Sequence, residues 1–144
     1  MLRVLGFLTI KQGQVEYEKD QILEYINKAR NHCPSLQFKG ADFLRDLLTT
    51  VPLFISDGDY YRWNHKSIQE YFASQFICRN SKGKQGEILR AMVSVPQSQR
   101  FQNVLDLCYD IDYKTFRNTV VYDLINQFLA YYDSSYDDID RKVR

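Results

Sequence analysis

The residues best suited to chemistry lie in one short stretch, YYRWNHKSIQEYFASQFI, which runs from Tyr60 to Ile77. His65 is its only imidazole, and Glu70 follows in the same stretch. An imidazole donates a hydrogen bond to a phosphate oxygen, and a nearby anion favours its charged form. His65 and Glu70 could also suggest a hydrolase, but no nucleophile, glycine-rich elbow or metal-ligand partner accompanies them. The pattern therefore does not support catalysis by this pair.

A β-hairpin is expected immediately before His65. Asp57-Gly58 lies between two apolar runs, and Asp-Gly favours a tight hairpin turn because it tolerates positive φ. Side chains alternate between the two faces of a strand. One face of the second strand should therefore carry Tyr61, Trp63 and His65.

A helix is expected immediately after His65. Ser67 and Glu70 have capping-box spacing, in which the hydroxyl accepts from a first-turn amide and the carboxylate reaches back. This spacing predicts that Glu70 is a capping acid, and Gln69 could bond across to a neighbouring helical region. The helix should bury one apolar side, formed by Ile68, Tyr71, Phe72 and Phe76.

The order of residues through this junction resembles the winged-helix module of NACHT-type NTPases, the STAND signalling ATPases that include animal NOD-like receptors and their bacterial relatives. The family pattern is an aromatic strand residue, a His, two spacers, an apolar residue, Gln, Glu, two aromatics and Ala. Two departures are mild, since Ile68 stands where Phe is common and Ser74 where a second Ala is usual. The matching positions are Trp63, His65, Ile68, Gln69, Glu70, Tyr71, Phe72 and Ala73.

The resemblance implies a specific role for His65. In the family, the histidine at this junction contacts the β-phosphate of ADP held by an upstream NTPase domain, and it helps to maintain a closed, inactive state. Loss of that contact would favour the open state. From the residues alone, His65 could instead cap the helix or fill the core, where buried histidines usually have a structural partner.

The predicted fold is mainly α with a small β-hairpin, a winged helix followed by a helical bundle. Helices are expected over 21–31, with Asp20 as N-cap, and over 41–50, ended by Pro52. Residues 1–10 indicate the end of a helix or a short buried strand. The winged-helix module over 1–80 would then lack most of its first helix, and exposed apolar residues there would favour self-association; these are Leu2, Leu5 and Phe7.

A helical region is expected over 81–132, after a polar linker that contains glycine. Its helices should cover 87–95, 100–109 and 116–132, and the last keeps apolar helical spacing over several turns, which requires a partner surface. Residues 133–144 form an acidic and then basic tail that is expected to be frayed.

Composition narrows the class of protein. The 144 residues are 44% hydrophobic with a formal charge of +1, which favours one core or two small abutting cores and gives no support for nucleic-acid binding. Three cysteines, Cys33, Cys78 and Cys108, lack metal-ligand spacing and indicate reduced thiols in a cytosol. No run is long enough to span a membrane and no cleavable signal is evident, so we expect a soluble, cytoplasmic protein.

The leading functional prediction is a non-catalytic, nucleotide-state-sensing fragment of a NACHT-type ATPase in innate immunity or antiphage defence. Its partners would be the upstream NTPase domain and other domains of a parent protein. The sequence contains neither a phosphate loop nor an apolar strand ending in paired acids. We therefore expect no ATP hydrolysis and no cofactor for the chain alone, with ADP or ATP bound in an intact parent.

The alternative is an autonomous winged-helix module that binds protein or DNA. A DNA-binding winged helix places a basic or polar recognition helix in the major groove. In the corresponding helix here, Arg45 is offset by Asp42 and Asp46, so DNA is the less favoured ligand.

Overall fold

The computed structural model describes the backbone of residues 1–143 and the side chains of residues 1–134. The first half of the chain forms α1 (Leu2–Lys11), β1 (Tyr17–Glu18), α2 (Lys19–Asn31), α3 (Gly40–Thr49), β2 (Phe54–Asp57), β3 (Tyr60–Trp63) and α4 (Lys66–Asn80). The second half forms α5 (Gln85–Ser94), a 3-10 helix (Ser98–Phe101), α6 (Gln102–Ile111), α7 (Tyr113–Phe116), a π-helical segment (Arg117–Val121) and α8 (Tyr122–Val143). The prediction of a mainly α fold with a small hairpin is confirmed.

The hairpin forms where Asp57-Gly58 predicts it. β2 and β3 pair antiparallel, with Phe54 opposite Trp63, and Gly58 turns the chain with a φ of 59°. The short strand β1, which the sequence analysis does not predict, pairs with the other edge of β3 and gives the order β1-β3-β2. β3 is therefore the central strand and is held on both sides.

Two abutting hydrophobic cores share α4. The first lies between the sheet and α1 to α3, and its fully buried members include Leu5, Tyr17, Ile22, Ile26 and Phe54. The second lies among α4, α5 and α6, and includes Ile77, Leu89, Val104 and Cys108. Because Phe72 packs against the first core while Ala73 and Ile77 lie in the second, α4 couples the folding of the two halves.

The first residues form a ten-residue helix rather than a strand. A β-carbon at Gly6 would lie 2.8 Å from Cβ of Phe72, so the glycine permits close packing of α1 on α4. The expectation of an exposed apolar surface here is wrong, because Leu5 is fully buried and Leu2 and Phe7 are partly buried against the two cores. A longer first helix, continuing upstream, stays a prediction.

The start of α2 also differs from the prediction. The helix begins at Lys19, and Glu18 rather than Asp20 is its N-cap. Glu18 and Gln21 form a reciprocal capping box, in which the backbone N–H of Glu18 donates to Gln21 Oε1 at 3.1 Å. Acceptors at the N-cap satisfy first-turn amides, and here the extended backbone of β1 brings Glu18 to that position.

The helix predicted over 116–132 is interrupted. Phe116 and Val120 pack into the second core, but the backbone between them is π-helical, and a regular α-helix starts only at Tyr122. Beyond this point the apolar residues are exposed, among them Leu124, Ile125, Phe128 and Leu129. The backbone of α8 continues to Val143, and the predicted tail over 133–144 falls mainly on side chains outside the described residues.

Within the described part of the chain, none of the helices is long and apolar enough to cross a bilayer.

Candidate functional site

A buried hydroxyl connects the elements that position His65. Thr9 on α1 is fully buried, and its Oγ1 accepts hydrogen bonds from Trp63 Nε1 and Gln69 Nε2, each at 3.1 Å. The same hydroxyl donates to the carbonyl of Leu5 at 2.8 Å. A hydroxyl offers one donor and two acceptor sites, so this group is fully used. Strand β3 and helix α4 are thereby tied to the same atom on either side of His65.

Tyr17 closes the other side of this polar cluster. Its hydroxyl donates toward the carbonyls of Gln14, at 2.6 Å, and Thr9, at 3.2 Å. Burial raises the pKa of Tyr17 to about 12, because the phenolate would lose its hydration. The phenol therefore acts as a neutral structural donor. It fixes the turn between α1 and β1 next to the β3–α4 junction.

His65 lies at the junction as the N-cap residue of α4. Its backbone is extended, with φ −134° and ψ 135°, and its carbonyl accepts from the N–H of Ile68 at 3.1 Å. The side chain makes no capping hydrogen bond and is exposed. The prediction that it shares a face with Trp63 is wrong, because β3 ends at Trp63 and the alternation stops there. The imidazole thus neither caps the helix nor enters the core.

Glu70 and Gln69 exchange the roles predicted for them. The capping box from Ser67 to Glu70 is wrong, since α4 begins at Lys66 and places Ser67 inside its first turn. Glu70 is 2% exposed; its Oε2 accepts from Asn103 Nδ2 on α6 at 3.1 Å, and its Oε1 lies 3.2 Å from Lys66 Nζ. Glu70 therefore joins α4 to the helical region, whereas Gln69 bonds back to α1.

The aromatic residues of α4 are only partly internal. Phe72 and Phe76 pack against the first core as predicted, and Phe76 stacks on Phe7 with ring centroids 4.6 Å apart. Tyr71, also predicted on the apolar side, is 48% exposed. Its hydroxyl end faces solvent because the helix turns that position away from both cores, so the buried side of α4 is narrower than predicted.

The cysteines do not provide a nucleophilic site. All three are free thiols. The hydrogen bond with Cys78 and burial raise the pKa of the Cys108 thiol far above its usual range, so its reactive thiolate is strongly disfavoured. Cys78 Sγ donates to the carbonyl of Cys108 at 3.9 Å. Among the described residues, no group of three or more His, Cys, Asp or Glu could hold a metal ion.

Two further residues behave as the sequence predicts. His32 ends α2, where its Nδ1 lies 2.9 Å from the carbonyl of Lys28, and so has a local structural contact. Arg45 on α3 pairs with Asp42 at 3.2 Å. That pairing reduces the positive charge that α3 would present to a DNA phosphate backbone.

Thr9 is the site residue that sequence reasoning missed. It occupies a lone polar position in the apolar run 1–10, and its partners are 54 and 60 positions away. A single Thr without spacing to its partners carries no recognisable signal. A polar residue on the buried side of a predicted amphipathic helix would have been the only indication.

Comparison with known families gives a match at the C-terminal end of the chain. Residues 111–144 match the family described as Short NACHT-associated C-Terminal domain, family 5. The matched segment begins at the end of α6 and includes α7, the π-helical segment and α8. It supports a NACHT-associated C-terminal region, which is an accessory region rather than the NTPase, and it implies a parent protein with an NTPase domain. No curated protein and no solved structure matches the chain.

Proposed function

We propose that this chain is a non-catalytic regulatory part of a NACHT-type signalling ATPase, in which His65 contacts the phosphate of ADP held by an upstream NTPase domain. The observation that carries the proposal is the family match over 111–144. It lies outside the stretch from Trp63 to Ala73 whose residues resemble the NACHT winged helix, so two separate parts of the chain lead to one class.

The topology supports a winged helix over 1–80. α1, α2 and α3 pack on a sheet whose hairpin, β2–β3, extends as the wing, and the order β1-β3-β2 places the strand before His65 at the centre. The buried bonds from Trp63 and Gln69 to Thr9 hold the wing and α4 in one arrangement. A rigid support of this kind is what a side chain needs in order to meet a ligand held by another domain.

The state of His65 supports the phosphate contact. Its imidazole is exposed at an N-cap, where the first-turn amides and the helix dipole also favour an anion. One imidazole cannot replace a phosphate loop, because phosphate binding needs several donors together. The NTPase domain would hold the nucleotide, and His65 would add a contact made only in the closed state.

The setting proposed for this function is a cytoplasmic signalling protein of innate immunity or antiphage defence. Free thiols at Cys33, Cys78 and Cys108 suit a reducing compartment. The setting follows from the class of parent protein, since NACHT-type ATPases are signalling proteins.

One observation favours a second function, an autonomous protein-binding module. The exposed side of α8 carries large apolar residues, and Phe128 is 65% exposed. Exposed apolar patches of this kind mark interaction surfaces. In this case the winged helix would serve as a scaffold without contact to a nucleotide.

The reading frame upstream of Met1 in the native locus distinguishes the two functions. The proposal predicts an in-frame Gly-x-x-x-x-Gly-Lys-Ser/Thr loop and, further on, an apolar strand that ends in paired acids. An unrelated gene, or an open frame that contains neither motif, would contradict it and favour the binding module.

A further inference from the structure

A cleft of about 230 Å³ opens between the two halves of the molecule. Its walls come from the turn after α1, the β3–α4 junction and the 3-10 helix that precedes α6. The charged side chains that line it are Arg62, Lys66 and Arg100, and its lining in the described chain includes no carboxylate. The cleft is thus cationic although the whole chain is close to neutral.

The charges in this cleft are unequally neutralised. Lys66 Nζ lies 3.2 Å from Glu70 Oε1 and is therefore paired. Arg62 Nε reaches Glu16 Oε1 only at 4.0 Å, the outer limit of an ion pair. Arg100 has no carboxylate partner among the described residues. Two guanidinium groups therefore retain most of their charge in a partly enclosed space.

Two donors in the cleft are shielded from solvent and unsatisfied. Nε of Arg62 and Nε of Arg100 are both buried and make no hydrogen bond. The Arg100 guanidinium lies over the ring of Phe101 at 4.5 Å, a contact that leaves its N–H groups free. A buried donor without an acceptor costs free energy, and its recurrence at two facing arginines indicates an acceptor that arrives from outside.

Gly13 gives Arg100 access to this position. It adopts a φ of +69° in the turn after α1, and a β-carbon there would collide with Nη1 of Arg100. Glycine tolerates this backbone conformation and also leaves the room that the guanidinium occupies. The turn is therefore compatible with the cleft only when residue 13 lacks a side chain.

We propose that the cleft binds a phosphate group, held by charge-assisted hydrogen bonds from Arg62 and Arg100. Guanidinium groups match the oxygens of phosphate with paired donors, and Lys66 adds positive charge at the rim. The volume suits one phosphate and its water but is below the usual range for a whole nucleotide. Because His65 does not line the cleft, this inference does not rest on the proposed function.

Phosphate titration followed by NMR of the arginine Nε–Hε groups tests the proposal on the full chain. Inorganic phosphate, at constant ionic strength set with chloride, should shift two Nε–Hε signals saturably. Arg62→Lys and Arg100→Lys should each remove one signal and weaken binding about tenfold, because each deletes charged hydrogen bonds. Arg45→Lys, an exposed arginine paired with Asp42 on α3, should leave the titration unchanged.

The source of the phosphate and the alternatives are resolved by further ligands. ADP should saturate the same signals and adenosine should not, if phosphate is the recognised group. Shifts that track ionic strength alone, binding that survives both Lys substitutions in variants with native circular dichroism, or saturation by a glutamate-rich peptide but not by phosphate would each overturn the proposal. Gly13→Ala supplies an independent variant, and it should weaken phosphate binding while both arginines remain.

Discussion

Thr9 and Trp63 meet inside the molecule through a hydrogen bond of 3.1 Å from the indole Nε1 to the threonine Oγ1, across 54 positions of sequence. Gln69 Nε2 reaches the same oxygen at 3.1 Å. These two contacts lie just before and just after His65 in the chain. The position of the exposed imidazole is therefore determined by a buried hydroxyl on another helix.

Removing this hydroxyl should destabilise the fold. Thr9→Val keeps the shape of the side chain but leaves the donors of Trp63 and Gln69 without an acceptor, so we expect a loss of about 2–4 kcal/mol in the free energy of unfolding. Urea denaturation followed by the fluorescence of Trp63, the chain's single tryptophan, measures it. Thr49→Val is the matched control, because Thr49 makes the same helical bond to the carbonyl of Arg45 at 2.8 Å but is exposed. Equal, small effects for both variants would refute this role of Thr9.

The bond between Glu70 and Asn103 should couple the two halves. A double-mutant cycle with Glu70→Ala and Asn103→Ala should give an interaction energy of about 1–3 kcal/mol, because the carboxylate is buried and charged. The exposed pair Glu24 and Lys28, at 2.6 Å on α2, should give only about 0.3–0.5 kcal/mol. Chemical denaturation measures both cycles. A coupling for Glu70 and Asn103 no larger than that of the surface pair would show that they do not act together.

The buried phenol of Tyr17 should make the fold sensitive to alkali. Its pKa is about 12 in the folded chain and about 10 when unfolded, so the unfolded state releases this proton first as the pH rises. The stability associated with Tyr17 is complete below pH 10 and is lost between about pH 10 and pH 12. The absorbance at 295 nm of the protein minus that of Tyr17→Phe should titrate with a midpoint near pH 12. A midpoint near 10 would show that the phenol is not buried.

Two phenylalanines should respond oppositely to truncation. Phe54 is fully buried, so Phe54→Ala should cost about 3–5 kcal/mol. Phe128 is 65% exposed on α8, and Phe128→Ala should change the stability by less than about 0.5 kcal/mol. Thermal unfolding at several protein concentrations measures both. A large, concentration-dependent effect of Phe128→Ala would reveal that this side of α8 is covered by a second copy.

Local signals explain what the sequence predicts correctly. Asp57-Gly58 specifies its turn through backbone preferences alone, and the helices follow apolar spacing that packing then uses. The errors arise where distant residues decide. Ser67 and Glu70 have the spacing of a capping box, but Asn103 on α6 supplies a buried partner for the carboxylate, and the helix starts one residue before Ser67.

The candidate site was predictable only in part. His65 is recognisable from the order of residues around it, whereas Thr9, Arg62 and Arg100 reach this region from separate elements. The strand β1 was unpredictable for a similar reason. It has two residues, too few for an alternating pattern, and it exists because Tyr17 pairs with Tyr61 across the sheet.

His65 itself should be dispensable for folding. The side chain is exposed and makes no capping bond, so His65→Ala should leave the free energy of unfolding of this chain within about 0.5 kcal/mol of the original. Chemical denaturation of the two proteins checks this. A loss of more than 1–2 kcal/mol would indicate a structural role and remove the reason to expect a ligand.

The rate of ADP release tests the central claim most directly. It should be measured on a NACHT parent protein that contains this chain, comparing the original with His65→Ala and with His32→Ala, a histidine whose contact is local to α2. We predict that His65→Ala speeds ADP release and promotes spontaneous oligomerisation, while His32→Ala changes neither. Unchanged ADP release from a normally folded His65→Ala protein would contradict the account.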